Sequence, residues 1–500
     1  MNLPEYDTHD AVGLAGLVAA GDVKPVDLVE AALDRIERRN PKLNAVIRND
    51  SDRALAAARE PVAAEAPFGG VPFLLKDLAL EEGERTTFGS VFFRDFVAED
   101  TSVLVRRMRS AGLISVGRTN TPEFGLLPTT EPVLWGATAN PWDLAYSPGG
   151  SSGGAAAAVA AGIVPLAHGG DGGGSIRIPA ANCGIFGLKP SRGRLPQYPP
   201  APSDFLAVGG CVSRSVRDTA VFLDATAGAV PGSRWSLAAP PKPFRDAAAT
   251  DPAPLRVAML GTDLHGGPLH AECAAALRVT SALLEDLGHH VTEVRPRFDA
   301  EAMEDAFLVV WAALAASIFQ LILAEAETRR GGRFVRRRLG DWRAMQLITR
   351  LDRRKSGLDS FEPFTWGLAR RSRQRKPADL MTADTTLQAA SFALHEMMRD
   401  YDLLLTPTLG TPPVRTGQID QSAEWDDLDR TLRRYVPFTP IANFTGRPAM
   451  SVPLHWTDAG LPIGSHFIGG EGDDATLLAI AGQLERAMPW WDRRPPIASS

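Results

Sequence analysis

Across 500 residues, 53 Lys and Arg stand against 59 Asp and Glu, a formal charge of −6; this argues against a chain-wide polyanion-binding role and against nucleic acid as a partner. A composition of 44% hydrophobic and 22% charged residues fits a soluble globular protein with one large α/β domain or two to three smaller ones. Cys183, Cys211 and Cys273 are too few and too widely spaced for a disulfide framework or a CxxC metal site, and the acidic N-terminus lacks a secretory pattern, so a cytoplasmic protein is expected.

Residues 8–60 read as helices, with Pro25 opening a segment in which Val26, Leu28, Val29, Ala32, Leu33 and Ile36 recur at helical spacing. Short apolar segments then alternate with helical ones through VPFLLKDLA (71–79), SVLVRRMRSAG (102–112) and LISVGRT (113–119), which is α/β order. From Tyr146 to Arg194 glycine and serine concentrate around an Ala-rich helix-forming run at 155–162, a pattern too specific for a flexible linker. The stretch Pro240 to Pro254 reads as a surface connection leading into a strand at 255–260.

From 301 to 398 the pattern is mostly helical. Ala306 to Ala324 is nearly long enough to span a bilayer, but Glu304, Asp305, Glu325 and Glu327 supply no basic anchor. A buried helix is therefore expected, one whose Phe307, Trp311 and Phe319 interleave with small Ala312, Ala313, Ala315 and Ala316 and help wall a pocket. The run 329–376 holds 16 Lys or Arg against 4 Asp or Glu and reads as a solvated helix face. YDLLLTPT (401–408), RPAMSVPL (447–454) and GSHFIGG (464–470) read as strands and 475–488 as a closing helix.

The chemistry concentrates at 147–194, where two Ser/Gly-rich turns place Ser151 and Ser175 24 positions apart. In GGDGGGS several consecutive backbone N–H groups precede a serine, which suits an oxyanion hole with a nucleophile attached. A phosphate-binding loop would need a Gly-Lys-Ser/Thr step, and neither turn contains lysine. Gly149, Ser151 and Gly153 also satisfy the nucleophile-elbow spacing of α/β-hydrolases, for which His455 and His466 are available as bases; against this, Pro148 stands where a central strand should run.

GGSSGG, then D-x-GGS-I-R-x-P beginning 20 residues after Ser151, then GLKPSRGR, resembles the amidase signature. The resemblance extends to NAVI (44–47), GVPFLLKDL (70–78), GRTNTPEFG (117–125), TEPVLWGATANPWD (130–143), RSVRD (214–218) and NFTGRPAMSVPL (443–454). Within that family the chain looks most like the bacterial 6-aminohexanoate cyclic dimer hydrolase-type amidases that attack nylon oligomers, and similar enzymes cleave aryl amides and carbamates. The resemblance implies an α/β/α sandwich with a large mixed sheet covered by helices. It implies a single domain over 1–500, with 296–400 as a variable helical region over the active site.

Carried over by position, the resemblance makes Ser175 the nucleophile, Ser151 a serine in a cis peptide that relays the proton, and Lys76 the base. Oxyanion donors fall among the N–H groups of Gly172, Gly173, Gly174 and Ser175, with Ser152, Asp171 and Arg177 as supporting hydrogen-bonding positions. The implied partner is a small-molecule amide or carbamate, handled by a monomer or homodimer with no cofactor, no metal, no nucleic acid and no membrane span. An amidotransferase subunit shares the signature but would need partner subunits and an ammonia supply.

The base role makes its own physical demand. A lysine accepts a proton only when neutral, so its pKa must fall from about 10.4; Lys76 follows the apolar run PFLL, which carries it toward a low-dielectric interior. His168 and Cys183 read as packing residues, and Arg177 as a brace for its loop. Two departures from the family pattern, the extra glycines Gly170 and Gly172 and His466 where glutamine is usual, bear on substrate choice.

Overall fold

The computed structural model describes residues 3–327 and 361–499. Eleven strands form one sheet: β1 (Val46–Asn49), β2 (Pro72–Lys76), β3 (Ile114–Thr119), β4 (Leu166–Asp171), β5 (Phe186–Lys189), β6 (Val208–Ser213), β7 (Arg256–Leu260), β8 (His290–Val294), β9 (Leu403–Pro407), β10 (Ala449–Trp456) and β11 (Pro462–Ile468). Their order is β1-β3-β2-β4-β6-β5-β10-β11-β9-β7-β8. The pairs β3–β2, β2–β4, β9–β7 and β7–β8 are parallel and the others antiparallel, so the sheet is mixed. Its central strands are almost entirely buried, as expected where helices cover both faces.

One core packs Leu28 and Val29 of the Pro25–Leu43 helix, the Ala155–Ala161 run and Leu477 of the Asp474–Ala487 helix against Leu74, Val212 and Val452. A second packs Met303, Ala306 and Val310 with Leu387, Leu404 and Ile468.

The N-terminal helical stretch is interrupted. Asn44 adopts a left-handed φ of 50° after Leu43, and Asn40 Oδ1 accepts the N–H groups of Ala45 and Val46 at 2.8 Å. This turns the chain out of the helix, and Val46–Asn49 pairs with β3 instead. The 240–254 connection contains a short helix, Phe244–Ala248, started where Asp224 accepts the N–H groups of Phe244 and Arg245.

The Ala300–Glu327 helix is, over Ala300–Gln320, long and apolar enough to cross a membrane by length and composition alone. Its side chains divide among three apolar clusters: Met303, Ala306 and Val310 in one, Ala312 and Ala315 in another, Phe319 in a third. The basic run at 329–376 lies outside the described residues up to position 360. Its remainder begins the Pro363–Arg373 helix, where Arg371 covers the Trp425 ring at 4.1 Å and faces Asp426 at 3.7 Å.

Candidate active site

β2 and β4 run parallel side by side, with Leu74 opposite Ala167, so both strands release their last residues, Lys76 and Asp171, at the same edge of the sheet. Every residue of PFLLK is buried, and Lys76 is 1% exposed. Its Nζ donates to Ser151 Oγ at 2.7 Å and to Ser152 Oγ at 3.0 Å. Burial lowers its pKa to about 7, against a smaller opposing pull from Asp171.

The two serines are delivered by a sharp approach of backbones. The Gly150–Ser151 peptide is cis. Three residues past Ser151, Gly154 opens the Gly153–Ala160 helix so close to its neighbours that a Cβ there would lie 2.5 Å from Asn120 N and 2.7 Å from Ala45 O; only glycine permits this contact. Ser152 Oγ donates to Gly170 O at 3.3 Å and accepts Gly170 N–H at 3.4 Å, while Ser152 N–H donates to Ser175 O at 3.2 Å. These bonds stitch the first serine turn to the second.

Asp171 organises the second turn. Its Oδ1 accepts from Gly174 N at 2.8 Å, Arg177 Nη2 at 2.8 Å and Asn443 Nδ2 at 2.9 Å; its Oδ2 accepts from Ile176 N at 3.1 Å and Arg177 Nε at 2.9 Å. The adjacent Arg177 guanidinium and these donors hold the Asp171 carboxyl well below the usual carboxylate range despite full burial. Arg177 also donates to Thr439 O at 2.8 Å, Asn443 Oδ1 at 2.7 Å and His466 Nε2 at 2.9 Å.

Guanidinium groups only donate, so Nε2 of His466 carries the lone pair and Nδ1 the proton. Nδ1 then donates to Thr406 Oγ1 at 3.0 Å, whose own hydroxyl donates to Pro407 O at 2.8 Å. Burial first, then Arg177, keeps this imidazole neutral.

Gly174 requires a correction. Its N–H is donated to Asp171, and the Gly173 carbonyl on the same peptide accepts from Thr439 Oγ1 at 2.7 Å. Both ends of that peptide are fixed, so of the four N–H groups expected as oxyanion donors that of Gly174 is already hydrogen-bonded. A Cβ on Gly174, at φ +133°, would also stand 2.4 Å from Thr439 Oγ1.

Ser175 is 8% exposed, at the floor of an open cleft of about 870 Å³ walled by Leu126, Leu127, Ile178, Phe307, Trp311 and Phe364. Phe307 and Trp311 stack at 5.6 Å with a 19° interplanar angle, and Trp311 Nε1 donates to Leu126 O at 3.3 Å. Gly125, beside Leu126 in the same lining, reaches Ser151, because a Cβ on Gly125 would lie 3.0 Å from Ser151 Oγ.

The histidines of the nucleophile-elbow alternative are engaged elsewhere, His466 by Arg177 and Thr406 and His455 by Glu272 at 3.3 Å. His168 is buried with a pKa lowered to about 3, chiefly by desolvation. Cys183 is buried, its thiol pushed up by the same effect, and Sγ donates to Pro148 O at 3.6 Å. Among the described residues no group of three His, Cys, Asp or Glu side chains is placed to hold a metal ion. Asn443, Thr439, Thr406 and Glu123 join or flank the site without a local motif naming them; the only signal is that Asn443 opens NFTGRP and Glu123 lies in GRTNTPEFG.

Residues 27–478 match the family described as Amidase. The chain is 35% identical to a 6-aminohexanoate-cyclic-dimer hydrolase of Paenarthrobacter ureafaciens, over 98% of this chain and 97% of that one. A solved structure of 6-aminohexanoate cyclic dimer hydrolase complexed with substrate superposes with a TM-score of 0.87 at 33% identity, covering 98% of this chain and 99% of the other. A bacterial aryl acylamidase of the amidase signature family superposes at 0.82 with 28% identity, covering 98% of each chain.

Proposed function

The chain belongs to the amidase family of amide-hydrolysing enzymes, and from that premise we propose that it cleaves a small-molecule carboxamide through an acyl-enzyme on Ser175, with Ser151 and Lys76 moving the proton. The observation that carries this reading is the 2.7 Å contact between Lys76 Nζ and Ser151 Oγ, made by a lysine whose pKa is about 7. Once Lys76 has lost a proton, its lone pair can accept from Ser151 across that same contact.

Ser175 Oγ attacks the amide carbonyl while its proton passes to Ser151 and that of Ser151 to Lys76. The oxyanion that forms is met by the N–H groups of Gly172, Gly173 and Ser175. Collapse breaks the C–N bond, and the departing nitrogen takes a proton back along the same relay. Water then attacks the acyl-serine ester, giving up one proton through the relay to Ser175 Oγ as the acid leaves. Every proton is borrowed and returned, so the cycle requires no cofactor.

The apolar walls favour an uncharged acyl group next to the scissile bond. Cyclic and linear amides of ω-amino acids, the chemistry named for the relatives, fit that environment, as do aryl amides and carbamates, which would make the enzyme a urethanase as well. The reading includes a cytoplasmic enzyme active without partner subunits. Labelling with a fluorophosphonate followed by peptide mapping tests it: the adduct is expected on Ser175, and an adduct on Ser151 overturns the assignment. A panel of aryl anilides, linear and cyclic ω-amino acid amides and carbamates then ranks the substrates.

A further inference from the structure

Among the described residues that line the cleft above Ser175, just Glu304, Asp429 and Arg433 are ionic, and all three also line a second cavity of about 1630 Å³. That second space is richer in charge than the cleft, bordered by Asp263, His265, Glu301, Asp305, Arg430 and Arg434. Pro437 is the remaining residue common to both.

Arg433 stands at the boundary, 24% exposed, with each of its three guanidinium nitrogens against a carboxylate. Nη1 faces Glu304 Oε2 at 3.3 Å, Nη2 faces Asp305 Oδ1 at 2.6 Å, and Nε donates to Asp429 Oδ2 at 2.9 Å. Glu304 and Asp305 belong to the Ala300–Glu327 helix, Asp429 to the Trp425–Tyr435 helix that carries Arg433 itself. From the far side, His265 Nε2 contacts Glu304 Oε1 at 3.2 Å. A planar fork that meets a carboxylate along each edge is held far more firmly than a lone surface pair. Three of its five N–H groups are taken by carboxylates, so it is held in place and acts chiefly through the volume it fills.

We propose that Arg433, tied across two helices by Glu304, Asp305 and Asp429, is a specificity-determining partition that closes the far end of the catalytic cleft and limits the length of the substrate arm lying in it. The proposal rests on the assignment of Ser175 as nucleophile, which fixes where the scissile bond lies. An arm that ends within the apolar cleft is accommodated. A longer one must displace the ion-pair network or enter the second cavity, and either costs binding energy.

The test is a homologous series of neutral amides of increasing arm length, assayed with the parent, with Arg433→Ala and with Glu304→Ala, which removes the one of the two cross-helix acceptors that lines the cleft without leaving three carboxylates unopposed. In the parent, KM should climb abruptly beyond one length. In either variant the ratio of kcat/KM for long over short amides should rise about tenfold, mainly through the KM of the long ones.

A purely structural role for the network would depress all lengths in proportion and leave that ratio unmoved. A smooth length dependence in the parent, or an unmoved ratio in a folded variant, overturns the partition. Fluorophosphonate labelling of the same preparations separates the two ideas. Label on Ser175 with no change in ratio removes the partition alone, whereas absence of label from Ser175 in the parent removes the nucleophile assignment.

Discussion

Lys76 and Asp171 end adjacent parallel strands, yet no ion pair joins them. The Asp171 carboxylate is saturated by Arg177, Asn443 and the N–H groups of its own turn, and Lys76 is left with two serine hydroxyls. A lysine bonded only to neutral groups in a buried site gives up its proton near neutrality; one paired with a carboxylate would not. The division of partners between two neighbouring strand ends thereby sets the state of the proposed base.

That relationship fixes the sign of the pH dependence. The active form of Lys76 is neutral, so kcat/KM should rise with pH through about 7 and then level off. Lys76→Ala should cost several orders of magnitude, and Lys76→Arg should fail to restore turnover because arginine stays charged. Weakening the competitor is the sharper test. In Arg177→Met, Asp171 is freed to act on Lys76, and the ascending limb of the profile should move to higher pH by about one unit or more. A limb that stays in place while activity falls would mean that Asp171 does not influence the base.

The serines divide the work unequally. Ser175→Ala should abolish acyl-enzyme formation, whereas Ser151→Ala should leave a slower enzyme, since Ser151 carries a proton and forms no covalent bond. Burst kinetics with an activated anilide would read this directly. A burst from Ser175→Ala, or a larger loss in Ser151→Ala, contradicts the order.

The positions of Lys76, Ser151 and Ser175 were legible because each sits in a contiguous block whose neighbours have local reasons to be there: an apolar strand ahead of the lysine, glycines wherever two backbones touch. The bracing of the second turn was not. Thr439 and Asn443 act from more than 260 residues away through hydrogen bonds to Gly173, Asp171 and Arg177, and no local pattern marks a residue whose contribution is made of distant contacts. The same distance explains Gly174, whose N–H direction is set by a peptide plane pinned from Thr439. The mixed sheet was legible in kind from the alternation of apolar runs and helices, while the pairing of β1 against β3 depended on a left-handed turn at Asn44 that helical periodicity upstream concealed.

Glu123 offers a test of the cleft wall. It is 2% exposed and accepts from Ser90 Oγ at 2.6 Å, Glu362 N at 2.8 Å and Thr365 Oγ1 at 2.5 Å, joining the Phe124–Gly125 turn to the Pro363–Arg373 helix. Burial, then the facing Glu362 carboxylate, raises its pKa to about 8. The folded chain thus holds a proton that the unfolded chain releases near the ordinary 4.5. This group's contribution is fully present below that value and is lost as pH rises through about 8.

Glu123→Gln should abolish that loss. The amide oxygen can replace Oε2 as acceptor, and the amide nitrogen can donate to the Ser90 hydroxyl oxygen. Thermal unfolding at about pH 6 and about pH 9 should show the variant gaining on the parent at the higher pH, by a difference on the order of 3 kcal/mol. Parallel stability curves would show that Glu123 is ionised throughout.

Trp311 is the residue through which the long apolar helix meets the chemistry. A Cβ on Gly172 would sit 3.5 Å from the Trp311 ring and one on Gly173 would sit 3.4 Å from Phe307, so the stacked pair lies directly over the turn that ends in Ser175. The glycines leave room for the rings, and the rings in turn define the ceiling of the acyl site. Trp311 is also held by its bond to Leu126 O, on the opposite wall. Trp311→Ala should therefore enlarge the site next to the scissile carbonyl and relax discrimination against bulky acyl groups, with kcat/KM for bulky over small acyl amides rising about tenfold. Some stability is lost as well, because a truncated aromatic leaves a cavity costing on the order of 3 kcal/mol, an upper figure here because the cleft is open. The protein should fractionate as soluble without detergent, since the apolar faces of the helix are shared among the clusters around Met303, Ala315 and Phe319. Recovery only in the membrane pellet, or acyl selectivity unchanged in a folded Trp311→Ala, would remove this helix from the substrate site.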